Sequence, residues 1–256
     1  MNPMQKKFTI CFLFVLACNL LFINSNMAQV KKAVPQKPKS VKKATPQNKP
    51  VAAKPVADLS TAGSVRVKII TDSGVIIVKL YDSTPLHRDN FVKLVEQGFY
   101  DSLMFHRVIP GFMIQGGDPL SKNAAAGTML GNGGGDMQRI PAEFRKGLIH
   151  KKGALAAARD GNPEKASSAC QFYLVEGNVV NDEMLNTMEQ RKGIKYTAAQ
   201  RSLYKSIGGT AFLDQDYTVF GEVESGLEVI SKISNVPRDN NNRPFGDVRM
   251  RMVLMK

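Results

Sequence analysis

The 256-residue chain has no tryptophan, three cysteines and three histidines. Cys11 and Cys18 fall within the first 28 residues, so only Cys170 remains in the body of the chain. A single thiol excludes an intrachain disulfide framework and every multi-cysteine metal motif. Alone, it reads as a small buried side chain rather than a nucleophile. His87, His106 and His150 show no H-E-x-x-H spacing, which removes the helical zinc motif. His106 lies in an apolar run and reads as a structural histidine. Ser167-Ser168 lacks the glycine-flanked context of a nucleophile elbow. The stretch Gly131-Asn132-Gly133-Gly134-Gly135 is not followed by Lys-Ser or Lys-Thr, so it is read as a loop and not a phosphate cradle. Neither a metal nor a cofactor is expected.

Acidic residues are missing from one end. The whole chain has 35 Lys+Arg against 22 Asp+Glu, a net charge of +13. By itself that balance suggests nucleic acid or an anionic membrane as partner. Residues 1–57, however, hold ten lysines and no Arg, Asp or Glu, which leaves only +3 on the rest. The basic excess belongs to the N-terminal fifth, and nucleic-acid binding by the body is not expected. Long hydrophobic runs are scarce too. Phe8 to Ile23, 16 residues, is short of the roughly 20 that span a bilayer as a helix. Lys6-Lys7 precedes it and polar Asn24 to Ala28 follows, the order of a secretory signal peptide over residues 1–28. Export to the bacterial envelope, with the periplasm as first choice, is therefore expected. Val15-Leu16-Ala17-Cys18 is similar to a lipobox. It leaves a second reading open, a lipoprotein whose only membrane contact is an anchor at Cys18. Residues 29–62 are rich in lysine and carry Pro35, Pro38, Pro46, Pro50 and Pro55. Proline blocks helix and like charges repel, so this stretch reads as an extended, solvated linker.

From Ser64 onward the pattern becomes periodic. Val65 to Ile70 alternates at period two, Thr71-Asp72-Ser73-Gly74 is a turn signal, and Val75 to Tyr81 is a second β-rich run. Ser83-Thr84-Pro85 predicts a helix start with Thr84 as N-cap, and Phe91, Leu94 and Val95 share one helical face. Further strands are predicted at Phe105–Gln115, Ala154–Ala158, Gln171–Val175, Thr218–Val223 and Asp247–Leu254, with a helix at Gly226–Ile233. Many short strands and two flanking helices predict a mainly β domain over residues 63–256, a barrel or a sandwich. Asn181 to Ile207 breaks the pattern and reads as a short helical insertion.

One segment stands apart: Phe105-His106-Arg107-Val108-Ile109-Pro110-Gly111-Phe112-Met113-Ile114-Gln115-Gly116-Gly117-Asp118. Arg107, Met113 and Gln115 are even steps apart, which places them on one strand face if the Pro110-Gly111 kink keeps register. On the residues alone, Phe112 and Met113 read better as core, and Arg107 as a surface charge. The run as a whole closely resembles the signature of cyclophilin-type peptidyl-prolyl cis/trans isomerases. Gly153 to Arg159, Ser168 to Leu174, and Phe212-Leu213-Asp214 followed by Val219-Phe220-Gly221 resemble later family segments in the same order.

The resemblance implies a closed eight-stranded antiparallel barrel capped by two helices, a cofactor-free rotamase, proline-containing polypeptides as substrates, and a monomer. It implies Arg107 as the catalytic group. It also implies a proline pocket walled by Phe112, Met113, Tyr173 and Leu213, with Gln115 orienting Arg107. Ala158, Arg159, Gln171 and Gly131 would line the groove before proline, and Phe212 and Tyr217 would also contact the substrate. Four positions depart from the common pattern. Tyr173 stands in place of Phe and adds a hydroxyl at the pocket, Tyr217 in place of His, Phe212 in place of Trp, and Arg159 in place of Asn.

Overall fold

The computed structural model describes residues 64–255. The expected leader, the linker and the lipobox cysteine lie outside the described residues. Two β-rich runs form the first hairpin, β1 (Arg66–Thr71) and β2 (Gly74–Leu80), with Thr71 opposite Gly74. The Thr71 hydroxyl accepts from the Ser73 N–H and donates to the Gly74 carbonyl, which closes the turn. Alternation then buries Val67 and Ile69 on one strand and Ile76, Val78 and Leu80 on the other.

Helix α1 (Pro85–Glu96) starts at Pro85 and buries Phe91, Leu94 and Val95, as the spacing predicts. The expected Thr84 side-chain cap is not made. The Thr84 hydroxyl donates to the Tyr81 carbonyl instead. The first N–H groups of Leu86 and His87 go to the Glu143 carboxylate, at 3.2 and 3.0 Å. A negative group at this end satisfies orphan donors and complements the helix dipole better than a hydroxyl does.

The remaining strands are β3 (Phe105–Ile109), β4 (Met113–Gly116), β5 (Ala154–Ala157), β6 (Phe172–Val175), β7 (Val219–Ser225) and β8 (Met250–Met255). All pairings are antiparallel, in the order β3-β4-β6-β5-β7-β2-β1-β8. The expected closed barrel is not formed; the sheet curls into a half-barrel. Its end strands meet at the isolated pair Met104–Arg249, flanked by a bond from the Phe105 N–H to the Val248 carbonyl. Running the ladder on along β3 would need an extended segment before Arg249. Pro244 and Gly246 interrupt that segment, and β8 begins at Met250 rather than at the expected Asp247.

Among the described residues, four α-helices accompany the sheet. Besides α1 there are α2 (Asp182–Lys192) and α3 (Ala198–Ser206) in the insertion, and α4 (Leu227–Ser234). Asn181 caps α2 through the Met184 N–H, and Thr197 with Gln200 forms a capping box on α3. The insertion leaves and rejoins the sheet at one point, where Asn178 pairs with Gly209. A Cβ at Gly209 would lie 2.3 Å from the His150 carbonyl oxygen, so only glycine lets the backbones pass.

Both faces of the central strands are buried. Leu155, Ala157, Phe172 and Leu174 face the main core with Phe91, Ile114 and Phe220. Ala154, Ala156, Tyr173 and Val175 face a second cluster with Met113 and Val219. That second face carries the candidate site.

Candidate functional site

The segment Phe105–Gly116 is a hairpin and not one kinked strand. Ile109 pairs with Met113, and Pro110-Gly111-Phe112 forms the loop, with Gly111 at φ +67°. Arg107 therefore comes to face Gln115 as its cross-strand partner. The shared face expected from even spacing is real, but strand pairing makes it. The loop is clamped from the segment after β6. The Gly111 N–H donates to Glu176 Oε2 at 2.8 Å, and the Phe112 carbonyl accepts from the N–H groups of Glu176 and Gly177.

A chain of polar contacts crosses the site. Arg107 Nη1 donates to Gln115 Oε1 at 3.3 Å, Gln115 Nε2 to Gln171 Oε1 at 3.0 Å, and Gln171 Nε2 to the carbonyls of Gly131 and Gly133 at 2.9 Å. Each amide oxygen accepts and each amide nitrogen donates, so the chain has one direction and its amide orientations support each other. Half-burial pushes the Arg107 pKa down from its ordinary value. The guanidinium has five N–H groups and commits one to Gln115, which leaves donors for a substrate.

Beside this chain lies an apolar floor. Met113, Ala158 and Tyr173 are buried, and Phe112, Leu213 and Tyr217 pack against them. The rings of Phe112 and Phe212 lie 5.5 Å apart, and Tyr173 meets Tyr217 edge-on at 6.0 Å. The Arg159 guanidinium sits 4.6 Å over the Tyr217 ring, and its Nε donates to the Asp216 carbonyl. Gly131 is tied to this assembly by its carbonyl, which accepts from Gln171 Nε2, and it lines a cleft shared with Arg107 and Gln115. Its φ of +107° calls for glycine, whereas a Cβ there would meet nothing closer than 3.7 Å. A cleft of about 190 Å³ opens on that side of Arg107, between Gln115, His106 and Arg243. Its lining is mixed, with Met129 and Leu130 among the polar groups, and neither Phe112 nor Met113 lines it.

His87, His150 and Cys170 lie around the site, and His106 borders the cleft itself. Burial lowers the His106 pKa to about 4, so it is uncharged at neutral pH. His87 Nδ1 contacts Glu143 at 2.7 Å and its Nε2 contacts Ser167 at 2.9 Å, and burial lowers its pKa as well. Cys170 is buried, and desolvation pushes its thiol pKa up.

The Tyr173 hydroxyl, expected to add polarity at the pocket, points elsewhere: it lies 3.0 Å from His150 Nε2. His150 and Asp214 are the residues that sequence reasoning did not place. They meet at 2.7 Å across 64 positions of chain, a separation with no periodic signature.

The sequence matches the family model "Cyclophilin type peptidyl-prolyl cis-trans isomerase/CLD" over residues 66–254. A Staphylococcus aureus (strain USA300) protein, provisionally named a peptidyl-prolyl cis-trans isomerase, is 32% identical over 187 residues, covering 73% of this chain and 89% of that protein. A Streptococcus pyogenes serotype M6 protein, provisionally named a bifunctional phosphatase/peptidyl-prolyl cis-trans isomerase, is 31% identical over 197 residues, covering 76% of this chain and 39% of that protein. The crystal structure of a Cryptosporidium parvum cyclophilin type peptidyl-prolyl cis-trans isomerase superposes with a TM-score of 0.55 at 22% identity, covering 76% of this chain and 99% of that one. A second crystal structure of that protein, in the presence of the dipeptide Ala-Pro, superposes with a TM-score of 0.53 at 22% identity, covering 75% and 99%. At that identity the two structures share the fold.

Proposed function

The chain belongs to the cyclophilin-type peptidyl-prolyl cis-trans isomerase family, and from that premise we propose that it rotates X-Pro bonds in exported polypeptides, with Arg107 as the catalytic group. The observation that carries this reading is the placement of Arg107. Its guanidinium is fixed by Gln115 at the edge of the Met113–Tyr173 floor, with donors to spare.

The chemistry needs little else. Rotation about an X-Pro amide is opposed by a barrier of about 18–20 kcal/mol, which comes from conjugation of the nitrogen lone pair with the carbonyl. At the twisted geometry that lone pair is localised on a pyramidal nitrogen and accepts a hydrogen bond well. In the planar ground state it is delocalised and accepts poorly. A cationic donor aimed at the nitrogen therefore binds the transition state more tightly than either isomer, which is the condition for catalysis. No covalent bond breaks, so no nucleophile is called for. Phe112, Met113, Tyr173 and Leu213 hold the pyrrolidine ring. Gln115 keeps the guanidinium in place. Ala158, Arg159, Gln171 and Gly131 receive the chain before proline, and Phe212 and Tyr217 form the rim.

The test is an isomerisation assay on the mature chain with an X-Pro tetrapeptide. Arg107→Ala is expected to lower kcat/KM by about 10²–10³-fold, the scale of one preorganised donor, with the melting temperature kept. A wild type without activity beside an active control ends the reading.

The cellular setting follows from the N-terminus. In this reading residues 1–28 are a leader and 29–62, with eight lysines, a tether, which supports a setting in the bacterial envelope. Intact mass of the exported protein decides the form. A chain starting at Gln29 means soluble export, and a lipidated Cys18 means anchoring.

A further inference from the structure

We propose that the 181–207 insertion is a positioning element for the proline pocket, acting through a buried hydroxyl–carboxylate–imidazole relay that ends on Tyr173. The inference rests on the proposed isomerase reading and assigns the insertion a part in it.

The relay centres on Asp214, which is only 1% exposed. Its Oδ1 accepts from the His150 backbone N–H at 2.8 Å and faces Nδ1 at 2.7 Å. Its Oδ2 accepts from the hydroxyls of Tyr196 and Tyr204, at 2.8 and 2.6 Å. Four donors thus meet one carboxylate, and two of them come from the insertion. Tyr196 stands between α2 and α3, and Tyr204 stands within α3. A buried carboxylate oxygen that loses its donors is destabilised where it lies, so without the two hydroxyls the Asp214 carboxylate is held in place only by His150.

The far side of the relay reaches the pocket. The partners assign the imidazole tautomer: Nδ1–H donates to the carboxylate, which leaves Nε2 to accept the Tyr173 hydroxyl at 3.0 Å. The two rings lie nearly parallel, 12° apart. Tyr173 then packs with Met113 and Tyr217 on the pocket floor. A shift of Asp214 therefore turns His150 and displaces a wall of the pocket. Lys192, the last residue of α2, adds a second tie: its ammonium donates to the Asp214 carbonyl at 2.8 Å and pairs with the Asp216 carboxylate. The segment so held also carries Leu213 and Tyr217.

The two tyrosines make a clean probe because their rings do separate work. They pack edge-on at 5.6 Å within the insertion's own apolar cluster, with Val180 and Leu185. Tyr→Phe keeps that packing and removes the relay's donors, along with the longer contact from the Tyr196 hydroxyl to the Ala211 carbonyl at 3.3 Å.

The experiment uses the mature chain carrying Tyr196→Phe and Tyr204→Phe together. KM is expected to rise about five- to tenfold with kcat within about twofold, since a displaced wall weakens substrate and transition state alike. In methyl-labelled methionine NMR the Met113 signal shifts, while those of Met250 and Met252 in the main core stay. Lys205→Ala, whose ammonium pairs with Asp182 on the outer surface, changes neither. If the double variant does not fold, the single variants carry the test with KM effects of about threefold each. A folded variant with unchanged KM and an unshifted Met113 signal overturns the proposal and leaves the insertion as an independent arm. If the wild type is itself inactive, the isomerase reading falls separately. Titration of the Met113 signal with Ala-Pro then decides positioning alone: weaker binding in the double variant upholds it, and equal binding ends it.

Discussion

The two walls of the candidate pocket are built by different means. Phe112 and Met113 stand on a hairpin whose backbone is laddered to β6, from Met113–Val175 to Gly116–Phe172. Phe212, Leu213 and Tyr217 stand on an irregular segment whose one regular piece is the 3-10 turn Ala211–Leu213. Backbone pairing places the first wall, whatever the side chains do. Side-chain bonds to Asp214 and Asp216 place the second. A wall held by backbone tolerates substitution in detail, whereas one held by a few polar contacts fails at a few atoms.

The largest effect is expected where the ladder itself is undermined. Phe172, on β6 behind the hairpin, packs in the main core against Phe91, Tyr100 and Phe105 at 5.6, 5.6 and 6.0 Å. Phe172→Ala should cost about 3–5 kcal/mol in chemical denaturation, by lost burial plus a cavity. A cost under about 1 kcal/mol would mean the hairpin wall does not depend on that core.

Acid probes the same wall. His106 sits on β3 beside Arg107, with a folded pKa of about 4 against an ordinary 6.5. Between those values the unfolded chain binds the proton and the folded chain does not. Stability therefore rises with pH across that window and is lost on acidification, by about 3 kcal/mol in all. The lowered His87 pKa acts in the same direction. His106→Gln should flatten the melting temperature between pH 6.5 and 4; a variant as acid-sensitive as wild type would move the cause elsewhere.

The smallest effect tests the side-chain wall at its rim. Arg159→Ala removes the cation over Tyr217, worth about 0.5–1 kcal/mol at an exposed site, so KM should rise about two- to fivefold. An unchanged KM would show that Tyr217 is held without it.

Which parts were legible in the sequence follows the same division. Alternation in Val65–Ile70 and Val75–Tyr81, and the apolar face Phe91-Leu94-Val95, are local signals, and β1, β2 and α1 form where they point. The run Phe105–Asp118 pointed to the hairpin residues, though spacing alone suggested one strand where two are paired. Closure of the barrel was not legible, because it depends on whether residues before Arg249 can lie along β3. Glu143 at the start of α1, and Asp214 beneath Tyr173, were not legible either. A carboxylate that arrives from 56 or 64 positions away leaves no mark at its destination.

The meeting of Asn178 and Gly209 has an evolutionary consequence. Closing a loop over a fixed gap grows costlier only slowly with length, so the sheet is nearly indifferent to how much chain hangs from that junction. The half-barrel thus has a port where segments of many sizes could be exchanged between lineages. Tyr196 and Tyr204 attach a condition to the exchange. An incoming segment must bring donors for Asp214 Oδ2, or it leaves that buried oxygen unpartnered beneath the sheet. At this port the physics leaves length nearly free and constrains the chemistry.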